Sequence, residues 1–126
     1  MDFILDMERL YIDETEDTPK IILDKQNGIF EFSGRSLQED PSEFYGPVLK
    51  WIENYAKDSN PSTNCSFKLE YINTDSAKHI LDVLSVFKLI KGAKISWYFH
   101  EDDEDMEETG QDFSELVEIP FELKTY

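Results

Sequence analysis

The sequence predicts an α/β fold in which a single-layer mixed β-sheet is backed by helices. Segments that alternate apolar and polar residues recur along the chain, and between them lie segments with apolar residues three or four apart. Their order is β-β-β-α-β-α-β-α with a final extended segment, the order of a sheet with helices packed on it. The chain has 126 residues and 40% apolar content, and neither a repeat nor a linker interrupts it, so residues 1–126 read as one domain. A chain of this size buries roughly two-thirds of its unfolded surface, enough for a core without disulfides.

Arg9 to Thr15 and Lys20 to Asp24 are short β-type runs separated by the acidic turn Glu16-Asp17-Thr18-Pro19. Asn27-Gly28 fits a tight hairpin turn leading into the return strand Ile29-Phe30-Glu31-Phe32. Gly34 to Asp40 reads as a loop. A helical pattern begins at Pro41-Ser42-Glu43 and carries Phe44, Val48, Leu49, Ile52 and Tyr55, with Pro47 in conflict inside it. After the Ser-, Asn- and Pro-containing loop from Asp58 to Asn64, Cys65, Phe67, Leu69 and Tyr71 alternate with polar residues as one face of a half-buried strand.

The second helix is expected from about Asp75 to Lys91, with Ala77, Ile80, Leu81, Leu84, Phe87 and Ile90 on its apolar stripe and Gly92 as its stop. Ile95, Trp97 and Phe99 mark the next strand. Met106, Gly110, Phe113 and Leu116 suggest a short third helix, and Ile119, Phe121 and Leu123 a last extended segment.

Charge narrows the partners. With 12 basic and 28 acidic residues the formal charge is −16, which repels nucleic acid and anionic membrane surfaces. No apolar run approaches the roughly 20 residues that span a bilayer, and the N-terminus lacks the basic and apolar regions of a signal peptide. A cytoplasmic location is therefore expected. The one cysteine, Cys65, falls on an apolar strand face and reads as a buried structural thiol.

Catalytic signatures are lacking. His100-Glu101 has no second histidine at metalloprotease spacing, and His79 is expected on the polar side of its helix. The run Glu101-Asp102-Asp103-Glu104-Asp105 fails as a calcium loop: from Asp103, Glu108 stands at the turn-glycine position and Ser114 at that of the bidentate glutamate. No enzyme, metal or cofactor is expected. The acidic run from Glu101 to Glu108 reads as a solvated helix start, or as the docking surface of a constitutive acidic adaptor.

The sharper feature is Asn73-Thr74-Asp75-Ser76, four capping-type residues joining a strand to a helix. Small hydroxyls there lie at a helix N-terminus, where anionic groups are favoured, so a phosphate would act on whatever docks at that edge.

The chain resembles the SiaC family of bacterial regulatory phosphoproteins. The resemblance is carried by Thr18-Pro19, by Gly34-Arg35-Ser36 with Glu39, and by the run Phe44-Tyr45-Gly46-Pro47-Val48-Leu49-Lys50-Trp51-Ile52. It continues through the segments 69–78, 97–106 and 108–113. It implies a sheet-and-helix fold like the anti-sigma-factor-antagonist (STAS) domain. It also implies a threonine, falling on Thr74, that a partner kinase phosphorylates and a PP2C-type phosphatase dephosphorylates. The unphosphorylated form is expected to bind and activate a diguanylate cyclase. Asn73, Asp75, Ser76 and Arg35 are the expected surroundings of the phosphosite, and Tyr71, Lys78, Asp103 and Asp105 the expected partner contacts. Asp75 departs from the usual Asn-Thr-Ser-Ser, and Gln38 and Asp40 stand where proline and asparagine are common.

Overall fold

In a computed structural model, which describes residues 3–5 and 8–126 and side chains from residue 8 onward, seven strands pair in chain order into one sheet. These are β1 (Phe3–Leu5), β2 (Arg9–Ile12), β3 (Lys20–Asp24), β4 (Ile29–Ser36), β5 (Thr63–Ile72), β6 (Ala93–Phe99) and β7 (Phe121–Thr125). The first four form an antiparallel meander, whereas β4 to β7 are parallel. The helices α1 (Pro41–Ala56), α2 (Thr74–Val86) and α3 (Glu104–Val117) are the three crossovers. Right-handed crossovers in unbroken strand order place every helix on one face. α1 packs on α2 and α2 on α3, and the core fills the layer between them and the sheet.

Alternation explains which residues fill that layer. Leu10, Ile21, Phe32, Phe67, Ile95 and Trp97 are fully buried beneath the helices, while their strand neighbours face away. Aromatic rings carry much of the packing, with Phe32 stacked on Phe67 at 4.6 Å and Trp97 edge-on to Phe113 at 5.6 Å. The Cys65 thiol is buried in this layer, where desolvation, then the nearby Glu31 charge, pushes its pKa well up.

Several boundaries differ from those the sequence predicts. β1 is an additional strand, paired through Ile4 and Tyr11. The β3–β4 hairpin closes at Asp24 and Ile29, so its loop has four residues rather than a two-residue turn. Asp24 braces that loop by accepting from the Asn27 amide at 3.1 Å and side chain at 2.7 Å, and Gly28 takes φ +69°. β4 runs on through Gly34-Arg35-Ser36, which read as loop, because these residues pair with β5.

Pro47 does not break α1. Its predecessor is Gly46, which lacks the Cβ that would meet the proline ring, and both face solvent, where water serves the freed carbonyl. α2 ends at Val86 and tightens into a 3₁₀ turn, Phe87–Leu89, before Gly92, so the α-helix is shorter than expected. α3 spans fourteen residues, longer than the short helix expected.

β5 holds one more departure. Gly34 pairs with Leu69 but Arg35 pairs with Tyr71, a register shift that makes Glu70 the extra residue of a bulge. The bulge inverts the alternation, so Tyr71 leaves the face of Cys65, Phe67 and Leu69 and stands 58% exposed. Ile72 turns back against the core.

Candidate functional site

β4, β5 and β6 are parallel and end at Ser36, Ile72 and Phe99, so the segments that follow them gather along one edge of the sheet. In open α/β sheets this edge, beyond the carboxyl ends of the strands, is where function is built.

Asn73 is the hinge of that edge. Its backbone N–H donates to the Ser36 carbonyl at 3.0 Å and its side-chain amide to the Gln38 carbonyl at 3.3 Å. Its side-chain oxygen accepts from the Ser76 amide at 2.8 Å, which makes it the N-cap of α2. One residue thus ties the β5–α2 junction to the β4–α1 segment and starts the helix.

The junction's hydroxyls have different fates. Thr74, the first residue of α2, is exposed, and so is Asp75. Ser76 is fully buried and shares a hydroxyl network centred on Ser36. Ser36 Oγ lies 2.8 Å from Ser76 Oγ, 2.7 Å from the Tyr45 hydroxyl and 3.1 Å from Gln38 Oε1. Tyr45 is buried too, and desolvation pushes its phenol pKa upward against the smaller opposing effect of the Ser36 bond. Such a network is sequestered from any incoming enzyme; Thr74 is not.

Lys78 is exposed one helical turn beyond Thr74, on the same side of α2. His79 is half-buried rather than on the polar face. Its ring stacks on Tyr45 at 5.9 Å, and its Nδ1 lies 2.9 Å from the Asp75 carbonyl.

The β6–α3 segment completes the edge. Asp103 caps α3 by accepting from the Met106 amide at 3.0 Å and is half-buried, whereas Asp105 is exposed in the first turn. The Tyr126 amide donates to the Phe99 carbonyl at 3.1 Å, and its ring lies 4.2 Å from that of His100. Burial first, then the charges of Glu70 and Asp103, raise the Tyr126 pKa, which locates those two carboxylates beside it.

Arg35 belongs to the same edge but turns to the sheet's open face, where its Nε meets Glu70 at 3.4 Å. The segments around Thr74 do converge, and in this state Arg35's ion-pair partner is Glu70. The sequence reading missed Ser36 and Tyr45 as the support of the junction. Their only signal was polarity at positions where alternation and helical spacing demand burial.

Comparison with known proteins gives a consistent picture. Residues 12–126 match the model of the SiaC family regulatory phosphoproteins. An uncharacterized protein of Pseudomonas aeruginosa (strain UCBPP-PA14) is 27% identical over 124 residues, covering 95% of this chain and 98% of that protein. The crystal structure of apo-SiaC from Pseudomonas aeruginosa superposes with a TM-score of 0.82 at 27% identity, covering 93% of this chain and 98% of that one. A chain from the crystal structure of the Pseudomonas aeruginosa diguanylate cyclase SiaD in complex with its activator SiaC gives 0.83 at 27% identity, with coverages of 93% and 99%.

Proposed function

Since the chain belongs to the SiaC family of regulatory phosphoproteins, we propose that it is a non-enzymatic binding module switched by phosphorylation of Thr74. Unmodified, it docks and activates an effector, a diguanylate cyclase, as the SiaC of Pseudomonas aeruginosa does with SiaD. A partner kinase writes the phosphate and a PP2C-type phosphatase removes it.

The observation that supports Thr74 over its neighbours is the contrast with Ser76. Both are hydroxyls in the first turn of α2, but Ser76 is fully buried and bonded to Ser36, while Thr74 faces solvent. A kinase needs an accessible hydroxyl, so the junction offers one substrate among its two hydroxyls.

The physics of the switch is local. A phosphate adds about −1.5 to −2 charge beside Asp75, and at a separation of about 6 Å in water that repulsion is about 1 kcal/mol. Lys78, one turn along the same side, returns an attraction of similar size, and the helix N-terminus adds about 0.3–1 kcal/mol. These contributions nearly cancel, so the modified domain stays folded. What changes is the surface: a partner that covered Tyr71, Thr74, Lys78 and Asp105 must now desolvate a dianion. Asp103 acts in the same surface chiefly by holding the start of α3.

Phosphopeptide mapping after incubation with the cognate kinase tests the assignment. Phosphate on Thr74, lost in Thr74→Ala, is expected; modification confined to other residues overturns it.

A further inference from the structure

The face of the sheet opposite the helices carries a charge of the wrong sign for this protein. Arg9, Lys20, Arg35, Lys68, Lys94 and Lys124 lie on it by strand alternation and register, half of the chain's 12 cations. Among the described strand residues, the acids that share it are Asp24, Glu31, Glu70 and Glu122.

One cross-strand row of this face, a band through Lys20, Ser33, Lys68, Tyr98 and Lys124, contains no acid, although Glu31 and Glu122 border it on one side and Glu70 on the side toward Thr74. Lys20 pairs with Ser33, Ser33 with Lys68, and Tyr98 with Lys124, so three lysines recur on every second strand from β3 to β7. Among the described residues neither Lys20 nor Lys68 has an ion-pair partner. The Lys68 ammonium sits over two rings instead, 4.4 Å from the Tyr126 centroid and 5.5 Å from that of Tyr98. Lys124 lies 5.7 Å from the Tyr98 centroid and 3.9 Å from Glu122.

We infer that this band is a docking surface for an extended acidic protein segment, a contact separate from the Thr74 switch. Charge complementarity and size select that occupant. Strands lie about 4.8 Å apart, so the band is about 19 Å long and its lysines about 10 Å apart. A segment of about six residues in the polyproline II conformation covers it, and carboxylates three residues apart, about 9 Å and on one side, meet successive lysines. A long polyanion extends beyond the band into the acidic remainder of the surface. Two copies meeting symmetrically through this face oppose like charges.

The test is a titration of ¹⁵N-labelled full-length protein with hexaglutamate at about 0.15 M salt, where charges beyond about 8 Å are screened. Weak saturable binding is expected, with amide shifts confined to Lys20, Ser33, Lys68, Tyr98, Lys124 and their strand neighbours. Lys68→Glu/Lys124→Glu weakens it at least roughly tenfold, and Thr74→Ala titrates like the wild type. Should the charge-reversed protein not fold, Lys68→Gln/Lys124→Gln gives the same comparison with a smaller loss. Absent shifts, shifts centred on the helices, or shifts indifferent to these substitutions overturn the inference. So do stronger shifts of the same amides with hexathymidylate, which would make the ligand a nucleic acid.

Discussion

Removing the Ser36 hydroxyl dismantles the support under the Thr74 junction. In Ser36→Ala the buried Tyr45 and Ser76 hydroxyls lose the atom that held both, at 2.7 and 2.8 Å. Each buried hydroxyl left without a partner costs about 1–3 kcal/mol, so the substitution is expected to cost about 2–6 kcal/mol. For a chain of this length that corresponds to roughly 3–6 °C of Tm per kcal/mol. Ser76→Ala removes one branch and leaves Ser36 bonded to Tyr45, so it costs only about 1 kcal/mol. Added to Ser36→Ala, it removes an orphan and costs nothing further. Urea unfolding followed by the fluorescence of the buried Trp51 and Trp97 reads all three variants. A Ser36→Ala loss below about 0.5 kcal/mol, or a Ser76→Ala loss larger than that of Ser36→Ala, would show that Ser36 does not hold the network.

Other expectations follow from the same contacts. Gly110→Ala puts a Cβ 2.5 Å from Trp97 Cδ1, forcing the indole off its 3.1 Å bond to the Met106 carbonyl; a net loss of about 1–3 kcal/mol is expected by thermal unfolding, despite alanine's better helix propensity. The Tyr45 phenol, raised above the ordinary value near 10, keeps its proton in the fold after the unfolded chain begins to release it, so its stabilisation is present below about pH 10 and is lost as pH rises beyond. Tyr45→Phe should therefore show a smaller drop in urea midpoint between about pH 8 and 11 than the wild type. Asn73→Ala removes the α2 cap and should lower stability by about 1 kcal/mol while leaving Thr74 a kinase substrate, read by unfolding and phosphate incorporation.

How far the sequence reveals this molecule depends on the range of the forces involved. Alternation and helical spacing report burial one residue at a time, so they located β2 to β7 and the three helices. β1 escaped because Phe3-Ile4-Leu5 is an unbroken apolar triplet whose strand character comes from pairing with Tyr11 and its neighbours. The bulge at Glu70 escaped because Leu69 and Tyr71 have the same parity, and only the partner strand reveals the slip. The capping cluster Asn73 to Ser76 is a local feature and was visible, but the helix was expected to start at about Asp75, so Asn73 was not singled out as the cap. Ser76 looked equivalent to Thr74 until Ser36, forty residues away, was seen to bury it. His79 was assigned to the polar side because the Tyr45 ring that covers it comes from another helix. The basic band is likewise tertiary, since its lysines come from separate strands.

In the proposed switch, phosphate on Thr74 decides whether the effector binds. Calorimetric titration of the purified cognate cyclase into unmodified and stoichiometrically Thr74-phosphorylated protein tests it most directly. Binding by the unmodified protein is expected, with at least a roughly tenfold loss on phosphorylation, equivalent to about 1.4 kcal/mol, and recovery after phosphatase treatment. Equal affinity of the two forms, with the phosphate mapped to Thr74, would contradict it.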